Sequence, residues 1–81
     1  MRIFNLSENF SVVCESQSTR NGFRHVATLL RNGNEFARAK CTYLNRTWEC
    51  YQFESVLYKI VNDNFTGQEK ENFQAVVKNF R

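Results

Sequence analysis

The chain has eighty-one residues, with eleven Lys and Arg against eight Asp and Glu, for a formal charge of +3. A chain this short buries only roughly 60–65% of the surface its unfolded form exposes, so it has no room for a catalytic domain with its own cofactor cleft. Its N-terminus, Met1-Arg-Ile-Phe-Asn-Leu-Ser-Glu, lacks the apolar core of a signal peptide, and no run approaches a membrane span, so a cytoplasmic protein with no membrane partner is expected.

The charge is unevenly distributed. Residues 18–46 carry Arg20, Arg24, Arg31, Arg38, Lys40 and Arg46 against Glu35 alone, a net of +5. The flanking segments each net −1. A basic stretch of this kind attracts anionic partners, either nucleic acid or an acidic protein surface, with an attraction that salt weakens. The ordinary alternative is a solvated face kept soluble by its arginines.

In chain order, residues 10–17, 23–31 and 35–43 alternate as strands, separated by Asn21-Gly22 and Asn32-Gly33. Asn and Gly tolerate positive φ, which tight hairpins demand, so the two pairs predict a three-stranded antiparallel meander. A two-residue loop at Asn21-Gly22 pairs Arg20 with Phe23 and sets Cys14 opposite Leu29. A three-residue loop, Asn32-Gly33-Asn34, pairs Arg31 with Glu35, Leu29 with Ala37 and Ala27 with Ala39. One face then carries Phe10, Val12, Cys14, Phe23, Ala27, Leu29, Ala37, Ala39, Cys41 and Tyr43. Its small residues leave space for a helix to lie close. The other face carries Val13, Glu15, Gln17, Arg24, Val26, Thr28, Leu30, Phe36, Arg38, Lys40 and Thr42.

Beyond the sheet, Thr47 is placed to cap a helix over about 47–63, with Glu49 in its first turn. Phe53, Val56, Leu57, Ile60 and Val61 form one buried stripe, leaving Trp48, Tyr51 and Tyr58 at its flank. Thr66-Gly-Gln-Glu69 reads as a capping box opening a helix over about 67–80, with Phe73, Val76, Val77 and Phe80 on one face. The expected architecture is α+β, in the order βββαα, as a single domain with the long helix packed on one sheet face.

Catalytic chemistry finds little to work with. The one histidine, His25, falls mid-strand, where a packed core residue is commoner than a general base. The three cysteines, Cys14, Cys41 and Cys50, contain no C-x-x-C, so buried structural thiols are expected, with no metal and no cofactor. Binding is better supported. A sheet backed by a helix can enter a major groove, with Arg24, Arg38 and Lys40 on the sheet, Arg20, Arg31 and Arg46 at its ends, and Phe36 placed to stack on a base. The layout resembles, in architecture alone, the arm-type domains of phage integrases and the plant AP2-like domains. Trp48, Tyr51 and Tyr58 are candidate anchors of a protein interface or a homodimer.

The segment Tyr43-Leu-Asn-Arg-Thr-Trp-Glu-Cys-Tyr-Gln-Phe-Glu-Ser-Val-Leu-Tyr-Lys-Ile-Val61, preceded by Ala37-Arg-Ala-Lys40, resembles a motif of short proteins from phages and mobile elements of Gram-positive bacteria. The resemblance covers residues 35–61. It implies an accessory or counter-defence factor, of the kind that includes inhibitors of CRISPR nucleases, acting in the cytoplasm of a bacterial host. The implied partner is a bacterial defence nuclease or its nucleic-acid complex. An acidic DNA mimic is the wrong strategy for a basic chain. The expected function is thus inhibition of a defence nuclease through the basic sheet face, and the alternative is a βββα DNA-binding protein in phage or mobile-element regulation.

Overall fold

A computed structural model describes residues 1–44 and 53–79. The fold is α+β: a four-stranded antiparallel sheet followed by two helices packed against it. In chain order the elements are β1 (Arg2–Asn5), β2 (Phe10–Thr19), β3 (Gly22–Arg31), β4 (Asn34–Tyr43), α1 (Glu54–Asn64) and α2 (Gly67–Lys78). The strands lie side by side in sequence order.

The first strand corrects the expected three-stranded meander. Four residues are too few to show a clear period, and no glycine marks the turn after them. The turn is built instead on Ser7, whose Oγ accepts hydrogen bonds from the backbone N–H groups of Asn9 and Phe10. Phe4 pairs with Val12 on the helix side of the sheet, and both are buried.

Both hairpins differ from expectation in their turns, and apart from Phe36 the paired residues keep their expected faces. In the first, Thr19 pairs with Gly22 and Cys14 with Ala27, so the loop is Arg20-Asn21 and the ladder is displaced by two residues. A shift of two leaves every side chain on its face. Neither Asn21 nor Gly22 has positive φ. In the second, Asn32 (φ 53°) and Gly33 (φ 84°) both adopt the left-handed region, giving a two-residue loop of type I′ in which Arg31 pairs with Asn34. A bulge then intervenes, because Leu30 faces Glu35 and Leu29 faces Ala37, leaving Phe36 as the extra residue. Leu29↔Ala37 and Ala27↔Ala39 stand as anticipated, whereas Glu35 does not meet Arg31. It forms an ion pair with Arg38 instead.

The α1 stripe closes over the alanine side of the sheet. Val56, Leu57, Ile60 and Val61 are buried together with Ala27, Ala39 and Leu29. α1 opens at Glu54, with Phe53 at its N-cap in a non-helical conformation. The Phe53 ring is held edge-on to Phe4, centroids 6.1 Å apart, and tilted 4.6 Å from His25. Thr47 and Glu49, the expected cap and first-turn acid, lie outside the described residues. In α2, Thr66 occupies the N-cap position in extended conformation but forms no side-chain cap hydrogen bond, so the capping box is not made. Phe73 and Val77 are buried and Val76 packs on the core, while Phe80 lies outside the described residues. Phe10, Phe65 and Phe73 join the second helix to the sheet through edge-to-face contacts with centroids 4.6–5.7 Å apart.

Candidate binding face

The helices occupy one side of the sheet, and no described element covers the other. Strand alternation fixes what that open side carries. Ile3 pairs with Val13, Val13 with Thr28, and Thr28 with Arg38, which makes one row across all four strands. The adjacent row runs Glu15, Val26, Lys40, and the next runs Gln17, Arg24, Thr42. On the other flank, Ser11, Leu30 and Glu35 complete the face. Four apolar side chains, Ile3, Val13, Val26 and Leu30, therefore neighbour one another, and Ile3 is 63% exposed.

Arg24, Arg38 and Lys40 are brought together as expected, all on β3 and β4. The face is far less basic than the sequence suggests, however. Glu15 and Glu35 share it, and Glu35 engages Arg38 directly in an exposed ion pair. Three cations against two acids leave a net of +1 on this face. Among the described residues, no carboxylate lies within ion-pair distance of Arg24 or Lys40. Arg24 is half-buried, and its Nε has no hydrogen-bond partner among the described residues.

The remaining expected site residues do not join this patch. Arg20 sits in the β2–β3 turn and Arg31 at the far end of β3, a ten-residue strand. At about 3.4 Å per residue they are separated by roughly 30 Å. Phe36 leaves the open face altogether. The bulge turns its ring edge-on to Phe10, with centroids 6.2 Å apart, and Phe10 belongs to the aromatic contacts on the helix side. Phe36 remains 50% exposed there, so it is no companion for Arg38 and Lys40. Tyr58 is half-buried and packs against the core. Arg46, Trp48 and Tyr51 lie outside the described residues.

Sequence reasoning missed Ile3 as part of the open face. The signal was present in the alternation of Phe4 and Leu6, both buried, with Ile3 and Asn5 turned outward. Without a turn signal behind it, that alternation was too short to register as a strand.

A second cluster lies on the helix side, at the opposite end of the sheet from Phe36. His25 is 1% exposed and ringed by Phe23, Tyr43 and Phe53, with centroids 5.3, 5.6 and 4.6 Å away. The Ser16 hydroxyl and His25 Nδ1 share a hydrogen bond of 3.1 Å. Cys41 pairs with His25 across the strands. Burial pushes the Cys41 thiol above its ordinary range, and the nearby Lys59 ammonium offsets only part of the effect. No group of three metal-ligating side chains occurs among the described residues, and no described helix is long and apolar enough to cross a membrane.

No family model, curated protein or solved structure matches this chain.

Proposed function

We propose that this protein acts by binding another protein, and that the open face of its sheet is the contact. The observation that carries this reading is the apolar group of Ile3, Val13, Val26 and Leu30, uncovered among the described residues and bordered by Arg24, Arg38 and Lys40. Apolar side chains gain by leaving water, at about 25 cal/mol per Å² buried, and a face built for solvation alone does not gather them. The same residues favour a protein partner over DNA. A net of +1 on the face neutralises few phosphates, and duplex backbone offers nothing to the apolar group. The setting proposed is the cytoplasm of a bacterial host, where a phage or mobile-element accessory protein of this kind would occupy a defence nuclease at an acidic surface.

The test is retention of host proteins on the immobilised chain, compared with a Val13→Glu variant. Proteins retained by the parent and lost by the variant, with no change in thermal stability, support the reading. Equal retention removes the sheet face from the contact. Regulatory DNA binding is the second reading, favoured by the cations of β3 and β4. It expects a gel shift on random duplex whose affinity falls steeply with salt.

A further inference from the structure

On the open face Arg38 and Lys40 stand on β4, while Val13, Val26 and Leu30 stand on β2 and β3 alongside Glu15 and Arg24, and this layout defines the shape of an occupant. Val13 lies on β2, while Val26 and Leu30 lie on β3. From Val26 to Leu30 is four residues, about 13 Å along the strand. Arg38 and Lys40 lie on β4, one strand further out, with Arg24 beside them on β3. Glu15 lies on the other side, on β2. An α-helix lying along β2 and β3 rises about 10–12 Å between positions i and i+7 or i+8, which matches the apolar span. Its radius with side chains is about 5–6 Å and β4 lies roughly 7 Å from an axis midway between β2 and β3, so the long Arg38 and Lys40 side chains close the remaining distance to its flank.

We propose that the open face receives an amphipathic helix of the partner whose β4-facing flank is acidic and whose opposite flank is neutral or basic. The inference rests on the reading of the open face as a protein contact, and it names the element that face takes. Arg24 and Lys40 supply charges that no described carboxylate meets, and the incoming acids complete them. Glu15 disfavours acid on the β2 side. A second copy docking open face to open face is a poor occupant, because that face offers three cations only Glu15 and a Glu35 already held by Arg38. Burial of the partner's apolar stripe on Val13, Val26 and Leu30 supplies the affinity, and the charges set the orientation.

The experiment is an NMR titration of the ¹⁵N-labelled full chain with three synthetic peptides. One is a leucine-striped helix with Glu along one flank; the second carries Lys in place of that Glu; the third is an extended peptide of alternating Val and Thr. The Glu peptide is expected to move the amides of Val13, Val26, Thr28 and Lys40, and the other two are expected to leave them in place. Lys40→Glu should weaken the Glu peptide by about tenfold and confer binding of the Lys peptide, a reversal that damage to the fold cannot produce. Thr28→Arg, on the same exposed face, should block the Glu peptide sterically. Equal response to the Glu and Lys peptides, preference for the extended peptide, or shifts confined to another surface would overturn the proposal. If Val13→Glu abolishes retention of a host protein while the Glu peptide does not bind, the helix inference fails alone. If Val13→Glu changes neither, the open-face reading fails with it.

Discussion

Gly22 runs so close to the β4 backbone that a Cβ built on it would lie 1.9 Å from the carbonyl oxygen of Tyr43. The neighbours at that distance are main chain, so they cannot rotate away. Gly22→Ala should therefore destabilise the protein by about 2–4 kcal/mol, through displacement of a strand end. Gly33→Ala meets nothing within 4 Å but must hold φ at +84°, which costs about 1–2 kcal/mol. Urea unfolding of the two variants should rank Gly22→Ala as the more damaging. The reverse order would show that the β4 main chain at Tyr43 yields to a Cβ at Gly22.

Leu29 and Ile60 face each other's layer across the core, and both are fully buried. Truncation of either to Ala removes contacts that nothing can replace, for a loss of about 2–5 kcal/mol. In a domain of this size each kcal/mol lowers the melting temperature by about 4–8 °C. Ile3→Ala, by contrast, should stay within about 0.5 kcal/mol of the parent, because Ile3 points to solvent. A scanning calorimetry series separates these two outcomes directly.

Cys14 lends the fold a dependence on alkaline pH. Its thiol is fully buried under the sheet, and desolvation pushes its pKa up to about 12, with the Arg2 guanidinium offsetting a small part. The unfolded chain releases this proton near the ordinary value of 9.0 and the folded chain does not. Stability contributed here is complete below pH 9 and declines as pH rises toward 12, by about 1.4 kcal/mol per pH unit within that window. Denaturation midpoints at pH 8, 9.5 and 10.5 should fall for the parent and fall less for Cys14→Ala. Parallel slopes would mean that Cys14 ionises as readily folded as unfolded.

Arg38→Ala with Lys40→Ala should leave the fold intact while damaging partner binding. The Arg38–Glu35 pair is exposed on both sides, and such pairs contribute about 0–1 kcal/mol. Lys40 takes part in the fold through its backbone, since its carbonyl accepts a hydrogen bond of 3.0 Å from Lys59 Nζ, and alanine keeps that carbonyl. A melting temperature within a few degrees of the parent, with host-protein retention lost, is the expected pair of results. Retention unchanged in the double variant would take β4 out of the contact.

Much of the layering was legible in the chain. Period-two alternation placed Ala27, Leu29, Ala37 and Ala39 on one face, and the 3.6-residue stripe from Val56 to Val61 supplied the helix that covers them. These survive errors of detail because a register slip of two residues returns every side chain to its own side. Turn geometry was less legible. Asn32-Gly33 uses its freedom of φ as expected, whereas Asn21-Gly22, the same dipeptide, is selected by the approach of Tyr43 from another strand. Nothing within the sequence of the first hairpin announces that approach.

Charge illustrates the limit most clearly. The sequence determined how many cations fall between residues 18 and 46, which residues alternate, and that the domain would layer helices on a small-residue face. Folding in three dimensions set Glu35 against Arg38 and turned Phe36 toward Phe10. It also decided that Arg2–Asn5 would widen the sheet and bring Ile3 beside Val13. The physical reason is that composition and period are properties of neighbours along the chain. A patch is a property of neighbours in space, set by bulges, turns and packing that bring distant residues together.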